Sequence, residues 1–165
     1  MDYHAIFLEA IEAFIRDYEA GHLRLLTKQD LQAYLFHYCL EAFSKHYSSP
    51  PYKVHCGVVI FPPRERVDIA LGDREAVARL RLEPDYPGLP PSEKPFVFSD
   101  DIEHDFKQLR ALCERGVPHA YAVILDEDGR HLQAFPMVPW RKLKNGEREA
   151  YLLVRHFRKA GDSSP

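Results

Sequence analysis

One stretch sets what this chain can fold into: Arg66-Val67-Asp68-Ile69-Ala70-Leu71-Gly72-Asp73-Arg74-Glu75-Ala76-Val77-Ala78-Arg79-Leu80-Arg81-Leu82-Glu83-Pro84. Its alternation predicts two strands joined by a tight turn at Gly72-Asp73-Arg74. With a period of two, Val67, Ile69 and Leu71 take one face of the first strand, and Asp68 and Ala70 take the other. On the second strand Ala78, Leu80 and Leu82 share a face, while Val77, Arg79, Arg81 and Glu83 share the opposite one. An acid on one strand and two arginines on the next are thus expected on the same side of the sheet. Such a group is either a structural ion pair or the remains of a catalytic centre, and the sequence leaves both open.

The flanking patterns supply helices and further strands. Ile6, Ala10, Ala13, Phe14 and Tyr18 form the apolar stripe of a helix over residues 4–20, stopped by Gly21. Thr27 is placed as an N-cap, with Asp30 in the capping-box position, for a helix that carries Leu31, Leu35, Tyr38, Cys39, Ala42 and Phe43 and ends near His46. Residues 52–61 read as a strand closed by Pro62-Pro63. The loop 84–99 holds five prolines, a length that is usually functional or mobile. Asp100 and Glu103 are spaced as N-cap and N3 of a helix whose stripe is Ile102, Phe106, Leu109, Leu112 and Cys113. Residues 120–125 read as a buried strand, 131–135 as another, and 149–156 as a last one, with a disordered tail after Ala160. The expected domain is single, of the α/β (α+β) class, with an α-β-β-β-α-β core over about 27–126 and an extension over about 127–160.

The chain of 165 residues carries a net charge of −3, which excludes a uniformly basic nucleic-acid coat. The charge is uneven: residues 83–105 hold seven acids and one lysine, whereas 141–159 hold seven basic residues and two acids. The basic run could track phosphates. No apolar run is long enough to span a bilayer, and the first residues lack the basic start of a signal peptide. Cys39, Cys56 and Cys113 lie in apolar patterns, which favours reduced core thiols in a cytoplasmic protein.

With these residues in these elements, the chain resembles the PD-(D/E)XK nuclease-like superfamily, whose fold is the restriction-endonuclease-like one. Asp68 in Arg66-Val67-Asp68-Ile69-Ala70-Leu71 matches the first catalytic Asp of that family. The strand Ala76-Val77-Ala78-Arg79-Leu80-Arg81-Leu82-Glu83-Pro84 looks like the one that bears its Glu-x-Lys signature. The helix of residues 101–115 and the strand Ala120-Tyr121-Ala122-Val123-Ile124-Leu125 are similar to the elements that follow.

The departure from the family lies in the chemistry. Arg79 stands where the resemblance implies a metal-binding Glu, and Arg81 where it implies the Lys. Paired carboxylates hold Mg²⁺ because that ion takes hard oxygen ligands, and a guanidinium in that seat is a fixed cation instead. The first reading is therefore a degenerate centre of Asp68, Arg79 and Arg81, with no metal cofactor, kept for binding nucleic acid or a protein partner. Arg141, Lys142 and Lys144 are its candidate phosphate contacts, and Trp140 a candidate base-stacking ring. The second is an active Mg²⁺- or Mn²⁺-dependent nuclease, with Asp68 as a metal ligand and others relocated to Gln32, Glu41 or Glu83 and a lysine role for Lys107. Glu41 and Glu83 also read as plain surface acids. The third is a structural or homodimer-forming module. Nine histidines invite a metal reading, but zinc is not expected, since no Cys-x-x-Cys exists and His37, His46, His55, His104 and His119 form no tight i, i+4 pair with an acid. No dinucleotide or phosphate-loop glycine motif occurs, so no nucleotide cofactor is expected.

Overall fold

The computed structural model describes residues 1–48, 52–61, 65–86, 88–90, 92–93 and 101–159. Along them run α1 (Tyr3–Glu19), α2 (Lys28–His46), β1 (Val54–Phe61), β2 (Glu65–Leu71), β3 (Ala76–Glu83), α3 (Ile102–Glu114), β4 (His119–Asp126), α4 (Arg130–Ala134), β5 (Arg141–Asn145) and β6 (Arg148–Phe157). The six strands form one mixed sheet in the order β1-β2-β3-β4-β6-β5. Neighbours are antiparallel except β3 and β4, which run parallel from Ala76↔His119 to Glu83↔Asp126. Parallel neighbours need a crossover, and α3 provides it. The mixed α/β class is as expected. Half of the proline-rich loop (Pro87, Pro91 and residues 94–99), Asp100 and residues 160–165 fall outside the described residues.

Helices cover both faces of the sheet. On one, α1 and α2 bury Ile6, Phe7, Phe14, Leu31, Leu35 and Phe43 against Ile69, Leu71, Leu80 and Leu82. Each such side chain contributes about 1.5–3 kcal/mol on burial, so packing rather than helix propensity holds these helices. The capping box of Thr27 and Asp30 is formed in both directions. On the other face, α3 packs Ile102, Phe106, Leu109, Leu112 and Cys113 against Val77, Ala120, Ala122 and Ile124. Asp101, one residue later than expected, is the N-cap of α3 and makes no side-chain cap bond.

Four expectations are corrected. Residues 131–135 are mostly helical, because the Asp126 carboxylate accepts from the backbone N–H groups of Gly129 (3.0 Å), His131 (2.9 Å) and Leu132 (3.1 Å) and so caps α4. Cys56 is exposed, whereas Cys39 and Cys113 are buried. His37, read as lacking an acid at helical spacing, meets Glu41 at 3.3 Å. Finally, the parity of β2 is broken. Val67 and Ala70 belong to the α3 side, while Ile69 and Leu71 belong to the α1–α2 side.

The break has a local cause. Gly57, with φ +61°, sits opposite Asp68, between the paired positions Cys56↔Ile69 and Val58↔Val67. Only glycine takes that backbone readily. The β2–β3 ladder likewise holds only for Ile69↔Ala78, Ala70↔Val77 and Leu71↔Ala76. Beyond it the strands part, and the Asp68 side chain stands in for the missing backbone acceptor, taking the Leu80 N–H at 2.7 Å.

Candidate functional site

Asp68 points toward α2, away from the arginines. Its second oxygen pairs with Lys28 Nζ at 2.7 Å, and Gln32 Nε2 donates to the Asp68 carbonyl at 2.6 Å. Both carboxylate oxygens are therefore committed, one to a backbone N–H and one to an ammonium. The β3 side chains on this face are Ala76, Ala78, Leu80 and Leu82, all core residues. Among the described residues, no group of three acids or histidines gathers around Asp68. A dication here would meet one carboxylate, a fixed cation and a hydrocarbon wall.

Arg79 and Arg81 face α3, where they clamp Asp105. Arg79 Nη1 donates to Oδ1 at 2.9 Å, and Arg81 donates from Nε to Oδ2 at 2.7 Å and from Nη2 to Oδ1 at 3.1 Å. Arg81 also reaches Asp101 at 3.4 Å. The expected Arg79–Asp68 pair is not made. Burial pushes the Asp105 carboxyl upward, but the hydrogen bonds and charge of Arg81, then of Arg79, outweigh it and hold the group below its ordinary range. Asp105 has only 2% of its side chain exposed. It was read from sequence only as part of an acidic run, and its match to the two arginines becomes visible once β3 and α3 are packed together.

Glu83 is not a surface acid. It ends β3 fully buried, beside His131 Nε2 at 3.2 Å. Burial lowers His131 to about 4, against the opposing pull of Asp128. Glu83 and Asp68 lie at opposite ends of the divergence, so they do not share a metal. Glu41 is exposed and Lys107 lies on the outer side of α3.

The β5 residues proposed to hold phosphate are largely engaged with acids. Arg141 pairs with Glu12 at 2.9 Å and Lys142 with Glu149 at 2.6 Å, while the Lys144 backbone N–H reaches Glu19. Trp140 packs on the α3-side core and donates its indole N–H to the Phe135 carbonyl at 3.0 Å. It covers the core rather than offering a face.

A different basic surface runs between α3 and β6. Two adjoining clefts, of about 310 and 380 Å³, share Arg110 and Arg155. Lys107, Arg158 and Lys159 complete the basic set, against Glu103 and Glu114. The walls are aromatic. Arg155 lies over the Phe106 ring at 4.5 Å and the Phe157 ring at 5.3 Å, and Arg110 over Phe157 at 5.8 Å. Sequence reading found the C-terminal basic run but not its partner. Lys107 and Arg110 lie three residues apart on the outer face of α3, and only the β4–β6 pairing brings Arg155 and Arg158 beside them. No helix among the described residues is long and apolar enough to cross a membrane. No family model, curated protein or solved structure matches this chain.

Proposed function

We propose that this chain is a nucleic-acid-binding domain on a nuclease-like scaffold, without a working metal centre at Asp68, and that it grips the phosphate backbone in the groove between α3 and β6. The observation that carries the reading is the composition of that groove: five basic side chains against two acidic ones, over a floor of phenylalanines. Guanidinium forks suit phosphate oxygens, and the buried Phe106 and Phe157 rings beneath them hold those forks in place. The commitment of Asp68 to Lys28 and Leu80 supports binding without cleavage.

The magnitude is testable. Five phosphate contacts give a slope of log affinity against log salt of about −4.5 on duplex DNA and about −3.5 on single strands. Binding of single- and double-stranded DNA and RNA is measured by fluorescence anisotropy across a salt series. The Arg110→Glu/Arg155→Glu variant is expected to bind at least about tenfold more weakly and to lose about two units of slope. The Arg141→Glu/Lys144→Glu variant is expected to bind as the parent does. Parent-like binding by the first variant removes the groove, and cleavage that requires Mg²⁺ or Mn²⁺ and stops with chelator removes the loss of the metal centre.

A further inference from the structure

At the end of β4 away from Glu83 and Asp126, three histidines distant in sequence come together. His4 lies in the first turn of α1, His119 at the start of β4 and His156 near the end of β6. Each offers a ring nitrogen, and the three nitrogens lie within 4.8 Å of one another. His119 Nδ1 and His156 Nε2 are 3.1 Å apart. The rings are closely grouped, with centroids 4.9 Å (His4–His119), 4.8 Å (His4–His156) and 5.2 Å (His119–His156) apart.

We propose that His4, His119 and His156 form a binding site for one borderline divalent transition metal, with Zn²⁺ the best chemical match. Metal–nitrogen bonds of about 2.0–2.1 Å at tetrahedral angles set ligand nitrogens about 3.3 Å apart. The His119–His156 pair already stands near that spacing. The two facing nitrogens share one hydrogen there, and for both to ligate a metal the ring that carries it takes its other tautomer, with the proton on the far nitrogen. The third ligand has an orienting partner: His4 Nδ1 is hydrogen-bonded to the Tyr121 hydroxyl, which leaves His4 Nε2 as the ligating atom.

Tyr121 is fully buried on β4, so the core fixes the hydroxyl that holds His4. The rings are stacked, with interplanar angles of 19–25°, so they must turn about χ2 to bring three lone pairs to one point. His156 is exposed and has room to do so. Three protein ligands leave a coordination position for water.

The test uses the full chain, freed of metal, titrated with Zn²⁺ by calorimetry and with Co²⁺ by visible absorption. One Zn²⁺ per chain is expected, with Co²⁺ bands typical of tetrahedral nitrogen ligation. His156→Gln, on an exposed position, is expected to weaken binding at least about tenfold, and His119→Gln/His156→Gln to abolish the stoichiometric phase. Tyr121→Phe keeps the ring packing and is expected to weaken binding by a smaller factor, which a merely structural stack would not show. Circular dichroism of each variant reports that the fold is retained. The proposal is overturned if the double variant takes up Zn²⁺ as the parent does, or if the parent takes up none.

Discussion

Asp105→Asn removes the charge from the clamp while keeping its shape. In the parent, one carboxylate with 2% exposure answers two guanidinium groups that are 17% and 24% exposed. The amide retains one acceptor oxygen but turns an NH₂ toward a guanidinium N–H, so two donors face each other, and two cations lose their counter-charge. Breaking a buried pair by removing one partner costs about 3–5 kcal/mol, and the partial access of water to both arginines places this case near the lower bound. For a chain of this size, about 3 kcal/mol corresponds to a drop in Tm of about 6–12 °C. Urea unfolding followed by circular dichroism reads the loss as a lower midpoint at an unchanged slope.

The sign with pH follows from the lowered Asp105 pKa. Its contribution is present above the ordinary carboxylate value of about 3.9 and is lost as the pH falls through the folded-state value. Parent and variant are therefore expected to converge in acid. Adding Arg79→Met and Arg81→Met to Asp105→Asn removes the stranded cations and is expected to recover part of the loss. A cost below about 1 kcal/mol at neutral pH would refute the argument, because it would mean that water screens the clamp as it does a surface pair.

Asp68→Ala is expected to cost about 1–3 kcal/mol in urea unfolding, because it strands the Leu80 N–H, whereas Asp68→Asn keeps an acceptor and costs less. Equal losses would show that the Lys28 pair, not the strand-gap bond, is what matters. Neutral, buried His131 has a pKa near 4, below its unfolded value of about 6.5. Stability is therefore fully present above about pH 6.5 and falls toward pH 4, by up to about 1.4 kcal/mol per pH unit from this one group. His131→Phe is expected to flatten that slope, and an unchanged pH profile counts against a neutral buried imidazole. At Gly72, φ is +64° and an added Cβ would lie 2.7 Å from the Tyr3 ring, so Gly72→Ala is expected to cost more than about 1 kcal/mol by thermal unfolding.

Much of the fold was legible in the sequence. The stripes of α1, α2 and α3, the Thr27–Asp30 box and the turn at Gly72 are local signals, and a local signal survives translation into structure. The site was less legible because its geometry depends on breaks in periodicity. A strict period of two placed Asp68 with Arg79 and Arg81, yet the kink opposite Gly57 turned it toward Lys28. The strand expected at 131–135 failed for a related reason: a carboxylate five residues upstream of His131 caps the backbone there. Glu83 looked like a surface acid because its residue type usually is one, and its burial beside His131 is tertiary. The three histidines carry no spacing signal, since they converge only when both ends of the chain meet at β4.

The parallel junction of β3 and β4 has a consequence for how the chain reaches this shape. It divides the sheet into two antiparallel halves, β1-β2-β3 and β4-β6-β5, with short-range pairings within the first half and within β5–β6. The central seam joins strands separated by residues 84–118, so its closure carries the largest loop entropy in the sheet. Hairpin formation is fast and seam closure slow, which makes the eight backbone pairs from Ala76↔His119 to Glu83↔Asp126 the last to gain protection from hydrogen exchange during refolding.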